Sequence, residues 1–209
     1  QLDNSSDIRS DSMVRELDRD LYDQDGIILD QIGASAAGQL PKGFDPSSLY
    51  PARQHPKALQ MTIFGMGDAL GQLGIDWKVI QEKIAPDEVA VFSGAAIGQL
   101  DSFGFGGLMQ SRLKGSRASS KNLALGLVEM SADFINAYIL GSVGRTGHVV
   151  GACATFLYNL QMGKEAIESG SARFVVVGGA EAPITPEIVD GFYAMSALSD
   201  DKRMMEMQA

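Results

Sequence analysis

Two short, unbroken apolar runs, Val89-Ala90-Val91-Phe92 and Phe174-Val175-Val176-Val177, each pass within two residues into glycine, and the stretch between them carries helical periodicity. A strand with apolar side chains on both faces needs cover on both faces, and helices crossing between parallel strands supply it. The sequence therefore predicts an α/β fold with a largely parallel sheet. Around these runs, a helix is expected to open at Pro56, with Leu59, Ile63, Met66, Ala69, Leu70 and Leu73 at helical spacing and Gly74 as its stop. A short helix through Val79, Ile80 and Ile84 precedes the strand at 88–93, and Phe103 to Gly107 leads into another. The longest helical pattern covers 119–140; after it come a strand at 147–151, a helix at 153–169 ended by Gly170, and the strand from Arg173.

The chain has 209 residues, enough for one large domain with its own core, and 45% of them are hydrophobic. Seventeen basic against 26 acidic side chains give a net charge of −9, and ten acids against four bases fall in the first 50 residues. Residues 1–32 are thus expected to form an acidic, solvated, partly helical lead-in, with docking of a basic partner as the other reading, and 33–209 the folded domain. The negative balance argues against a nucleic-acid groove, which needs clustered Lys and Arg. The uncharged run Thr146 to Gly163 contains His148, Asn159 and Gln161, so it is read as buried strand plus helix, not as a membrane span. One cysteine and no signal-peptide pattern point to a reducing, cytoplasmic compartment. Gln1 is not a start methionine, and the exposed-looking cluster Met204, Met205 and Met207 ends the chain, so the sequence reads as part of something longer.

Chemistry concentrates in Gly151-Ala152-Cys153-Ala154-Thr155, where a strand hands over to a helix. A thiol in the first helical turn sits in the partial positive charge of unpaired backbone N–H groups, which favours the nucleophilic thiolate. The same N–H groups can face a developing oxyanion. The residues alone leave a second reading open, in which Cys153 is a small buried hydrophobe. His148 lies five residues earlier, on the order of 15 Å along a strand at ~3.3 Å per residue, which is too far for a dyad. His55, before Pro56, reads as an ordinary surface or capping residue. Two histidines and one cysteine offer no metal-ligand spacing, so no metal site is expected. Glu181 is assigned a structural hydrogen-bonding role. The turn Gly94-Ala95-Ala96-Ile97-Gly98 lacks a dinucleotide fingerprint, no Walker A sequence is present, and no cofactor is expected.

Several segments together resemble the β-ketoacyl-acyl carrier protein synthases, decarboxylating condensing enzymes of the thiolase-like superfamily. Ala152-Cys153-Ala154-Thr155 is similar to their nucleophile motif. Gly178-Gly179-Ala180-Glu181, Gly191-Phe192 and Ala197-Leu198-Ser199 are similar to the family's stretch downstream of that motif. Upstream, Ala37-Gly38 with Phe44-Asp45-Pro46, Ser93 to Gly98, and Gly141 with Gly144 fall in the family's order. The resemblance spans roughly 33–200 and implies an αβαβα layered fold, of which the N-terminal half is present, a homodimer, and acyl carrier protein as partner. It implies Cys153 as the residue that takes an acyl group before a decarboxylative Claisen condensation with malonyl-carrier protein. Ile97 and Leu123 match positions that line the acyl pocket in some members, and Phe156, standing where many members have Gly or Ser, is the third expected substrate contact. The family's catalytic histidines and lysine are expected beyond residue 209. The helix at 119–140 and the strand at 147–151 are expected near the dimer interface, with Phe134, Tyr138 and Leu140 adding apolar surface.

Two other readings compete. Gly151 to Thr155 is a near miss to the GxSxG elbow of α/β-hydrolases, with Cys for Ser and Thr for the last Gly. A non-catalytic partner like a chain-length factor is the other, but such subunits generally lack the cysteine.

Overall fold

A computed structural model of the chain describes residues 40–208 apart from 53, 143, 182 and 183, together with the backbone of strands β1 (Arg15–Glu16) and β2 (Ala36–Ala37). Most of the acidic lead-in lies outside the described residues. The chain divides into two compact units, one of residues 46–183 and one of 1–45 with 184–209. In the second of these, β1 and β2 pair antiparallel, and the chain ends in helices α7 (Pro186–Ala194) and α8 (Asp201–Gln208). Met204, Met205 and Met207 are exposed on α8.

Within 46–183, helices α1 (Lys57–Gln72) and α2 (Trp77–Gln81) precede β3 (Val89–Ser93), and α3 (Phe105–Gln110), α4 (Ser120–Gly126) and α5 (Met130–Ile135) come next. The unit is completed by β4 (Arg145–Gly147), α6 (Thr155–Glu168) and β5 (Phe174–Gly178). The three strands form a parallel sheet in the order β4-β3-β5, with Val91 opposite both Thr146 and Val176. The expected parallel α/β arrangement is present, built by the period of two along each strand. Val89 and Val91 face one way into a cluster with Met66, Ala132, Ile135 and Leu140, from α1, α5 and its continuation. Ala90 and Phe92 face the other way onto Ala166 of α6 and Ala172, with Met162 and Val175 beside them. Each fully buried Val, Leu or Phe in these clusters contributes about 1.5–3 kcal/mol of transfer free energy. Only the central strand is buried throughout; β5, expected to be covered on both faces, is half-buried because it lies at the sheet's edge.

Three boundaries differ from expectation. The helical pattern at 119–140 is not one helix, for α4 and the Met130–Leu140 segment meet at a bend of 96°. Leu127 is extended (ψ 141°), and the carbonyls around it leave the helix ladder: Gly126 O accepts from Gln99 N–H (3.2 Å) and Val128 O from Ala95 N–H (3.3 Å). The break thus serves the turn after β3. The second segment finishes as a π-turn, Asn136–Leu140, whose Leu140 carbonyl accepts from Trp77 Nε1 at 2.9 Å. Leu140 itself is buried in the core and adds nothing to the surface, and Phe134 is half-buried. Secondly, β4 covers 145–147 instead of 147–151, because Val149 and Gly151 pair with the Asn159 and Thr155 side chains rather than with a strand. Thirdly, α6 starts at Thr155, two residues later than predicted.

His55 is not an ordinary surface residue. Its ring packs edge-on against Phe134 (4.9 Å between centroids) and Tyr138 (5.8 Å), and Tyr50 Oη meets its Nδ1 at 3.2 Å. Burial lowers its pKa from 6.5, and in the same cluster burial, followed by the neighbouring Tyr138, pushes the Tyr50 hydroxyl up to about 12. No single helix among the described residues is long and apolar enough to cross a membrane.

Candidate active site

The carboxyl ends of β3, β4 and β5 lie along one edge of the parallel sheet, the position at which such sheets place their ligand sites. From β3 runs the Gly94–Gly98 turn, from β4 the segment leading to Cys153, and from β5 the segment leading to Glu181. The Ala96 N–H donates to the Glu181 carboxylate, which ties the first and third together and gives Glu181 the structural role expected of it. His148 ties the first and second: its ring packs over Gly94 in the space any Cβ there would fill. Both His148 nitrogens are sealed from solvent without a well-formed hydrogen bond. Burial therefore holds its pKa below 6.5, against the opposing pull of the Ala95 backbone and the Glu129 and Glu181 carboxylates. His148 makes no hydrogen bond to Cys153.

Cys153 sits in a 3-10 turn, Ala152–Ala154, immediately ahead of α6 and not within its first turn. Its side chain is exposed, so the reading of a small buried hydrophobe fails. The turn is sharp: Ala152 has φ +48°, a left-handed conformation that a residue with a Cβ adopts at a cost of roughly 1–2 kcal/mol. Gly151 before it is required by packing, because the Tyr158 ring occupies the space of a Cβ. Ala154 N–H bonds back to Gly151 O at 2.9 Å.

The polar groups that hold this turn are Thr155, the last residue of the quoted motif, and Asn159, which lies outside it. Asn159 is 0% exposed and bonds the backbone of Val149 through both ends of its amide, and Thr155 Oγ1 bonds Gly151 and Ala152. A signal is present in the chain nonetheless, since two polar side chains four apart on an otherwise apolar helix start share one face.

Ile97 is half-buried in the turn after β3, beside Gly98, whose backbone approaches Gly126 at the end of α4. Leu123, on α4 one turn earlier, is 55% exposed, and Phe156, directly after Thr155, is 50% exposed. An open depression of about 310 Å³ lies elsewhere, between α1 and α2 at Leu70, Gly74 and Trp77, and contains none of the expected site residues. Among the described residues, no group of three His, Cys, Asp or Glu side chains could hold a metal.

A strand, a strained small-residue turn bearing an exposed thiol, and a helix running away from it stand together at one edge of the parallel sheet. The family model "Beta-ketoacyl synthase, N-terminal domain" matches residues 5–208, and the chain belongs to that family. It is 59% identical over 167 residues to the beta-ketoacyl-[acyl-carrier-protein] synthase FabY of Pseudomonas aeruginosa, covering 80% of this chain and 26% of that protein. It is 31% identical over 148 residues to a 3-oxoacyl-[acyl-carrier-protein] synthase 2 of Staphylococcus aureus, covering 71% of this chain and 36% of that one. The crystal structure of the noncanonical ketosynthase FabY from P. aeruginosa superposes with a TM-score of 0.80 at 57% identity, over 83% of this chain and 28% of that one. A beta-ketoacyl synthase from Burkholderia phymatum shares the fold at 21% identity, with a TM-score of 0.70 over 90% of this chain and 44% of that one. The chain spans about a quarter of the length of FabY. Family membership removes the α/β-hydrolase reading and makes the fold thiolase-like.

Proposed function

We propose that the protein carrying this chain is a β-ketoacyl-acyl carrier protein synthase of fatty acid or polyketide biosynthesis, with Cys153 as its acyl-accepting nucleophile. The observation that carries the reading is the exposed Cys153 thiol on a strained turn at the start of α6, at the carboxyl edge of the parallel sheet. The Cys153 sulfur attacks the carbonyl of an acyl thioester, the new C–S bond forms, and the donor thiol leaves. Malonyl-carrier protein then loses carbon dioxide; the electron pair of the broken C–C bond becomes a carbanion that attacks the acyl-Cys153 carbonyl and returns the thiol. The Cys153 N–H is the backbone donor assigned to the oxyanion of both additions, since those of Ala154 and Thr155 are taken by Gly151 O and Ala152 O. Ile97, Leu123 and Phe156 are assigned to the acyl tail. Acyl carrier protein is the expected macromolecular partner.

A homodimer fits the exposed apolar residues of the segment 119–151, among them Leu123, Tyr138 and Val150. A reducing, cytoplasmic compartment suits a free thiol. The test is condensation by the full-length protein: release of carbon dioxide from malonyl-carrier protein together with a β-ketoacyl product, expected for the unaltered protein and lost in Cys153→Ala. A Cys153→Ala protein that still forms product overturns the assignment, and light scattering that reports a monomer at micromolar concentration overturns the dimer.

A further inference from the structure

We propose that Thr155 and Asn159 are positioning residues for Cys153: together they hold the residue before the nucleophile in its left-handed conformation and so fix where the sulfur stands. The inference rests on the reading of Cys153 as the acyl acceptor. Past Gly147 the chain leaves the β-ladder, and what replaces the ladder is a pair of side chains from one face of α6. The Asn159 amide acts as a substitute strand. Its Oδ1 accepts from Val149 N–H at 3.0 Å, and its Nδ2 donates to Val149 O at 3.3 Å and to Thr155 O at 2.9 Å. The amide orientation is fixed by this network, because turning it over would set Nδ2 against a backbone N–H. At the turn itself, Thr155 Oγ1 accepts from Gly151 N–H at 3.0 Å and donates to Ala152 O at 2.7 Å. The hydroxyl therefore brackets the one positive-φ residue of the turn from both sides.

Both side chains are buried, Asn159 at 0% and Thr155 at 6% exposure, so water does not compete for these bonds. An alanine at φ +48° relaxes toward the right-handed region unless its surroundings hold it. Relaxation rotates the Ala152–Cys153 peptide and swings both the Cys153 N–H and its side chain. The two residues thus act on the reaction through the turn, without touching substrate.

The experiment uses the full-length protein and a short acyl N-acetylcysteamine thioester, following single-turnover acylation by mass spectrometry. Thr155→Val keeps the shape and removes the hydroxyl. Its maximal acylation rate is expected to fall on the order of 100-fold while the half-saturating donor concentration stays within about twofold, as displacement of a reacting group by about 1 Å predicts. Thr155→Ser keeps the hydroxyl and restores the rate to within roughly threefold of the unaltered protein. Asn159→Ser, which shortens the reach to Val149, falls in the same direction and carries the test if the valine variant does not fold. A loss that serine fails to rescue reports packing and not the hydroxyl, and overturns the proposal. So does a folded Thr155→Val protein that acylates at the original rate. Cys153→Ala run in parallel separates the two claims: acylation surviving there overturns the nucleophile itself, whatever the Thr155 variants do.

Discussion

The sheet interior and the turn at 148–155 are built on opposite principles although they adjoin along the chain. In the interior, β3 is held by ladders on both sides and by apolar side chains alternating onto α1 and α5 on one face and α6 on the other. Removing one contact there leaves many others. In the turn, five backbone groups bond to two side chains, and the residue at the apex stands in a conformation its own chemistry disfavours. Rigidity in such a domain therefore has two sources: bulk burial supplies stability, and a few directional bonds supply the shape of the turn that carries Cys153.

The largest effect on the interior is expected from Phe92→Ala. Phe92 is 2% exposed between β3 and α6, and its truncation should cost about 3–5 kcal/mol, read as a fall in the urea midpoint. A loss below about 1 kcal/mol would mean that the site collapses freely and that the interior is not tightly packed.

Gly163→Ala and Gly67→Ala probe the interior through the sign of the change. Both glycines are helical, and alanine in a helix normally gains up to about 1 kcal/mol. At Gly163 a Cβ would stand 2.6 Å from Val177 Cγ2 and 3.1 Å from Val175 Cγ1, so overpacking of about 1–3 kcal/mol outweighs the gain and stability falls. At Gly67 nothing lies within 4 Å, so stability rises. Stabilisation at both positions would contradict the close approach of α6 to β5.

Acid should weaken the fold through its histidines, one of which, His148, stands at the entrance to the turn. His55 and His148 are both lowered below 6.5 by burial, so below that pH the unfolded chain binds more protons than the folded one. Stability is therefore full above about pH 6.5 and declines as pH falls toward the folded-state values, and His148→Phe should flatten the decline seen in urea midpoints. An unchanged slope in that variant would show that His148 takes no part in the acid response.

Ala152→Gly, at the apex of the turn, is expected to have the smallest effect. Relief of roughly 1–2 kcal/mol of strain is offset by about 0.4–1 kcal/mol of added unfolded-state entropy, leaving a net gain between zero and about 1.6 kcal/mol, read from the urea midpoint. A clear loss of stability would show that the left-handed residue carries no strain.

The interior was legible in the sequence because burial repeats with the period of the backbone: Val89 to Phe92 and the Leu59, Ile63 and Met66 spacing are buried where their pattern placed them, while Phe174 to Val177 form the expected strand half-buried and Leu73 stands exposed past the helix end. The place of Cys153, exposed between strand and helix, was legible as well, from its small neighbours. What periodicity did not reveal were bonds between side chain and backbone, or between backbone groups far apart in the chain. The break at Leu127 depends on carbonyls given to Ala95 and Gln99, beyond the reach of any local pattern. The early end of β4 results from Asn159 and Thr155 taking over from a strand. His55 looked like a surface residue because the aromatic rings around it, Phe134 and Tyr138, come from a distant helix.

Everything proposed for the turn depends on the Cys153 sulfur being the reactive atom of this domain. That is tested by mixing the full-length protein with an acyl thioester donor in the absence of malonyl-carrier protein, quenching in acid, digesting, and mapping the adduct by tandem mass spectrometry. One acyl group per chain is expected, on the peptide that contains Cys153 and on its sulfur. An acyl group found on any other residue, with Cys153 unmodified, would contradict it.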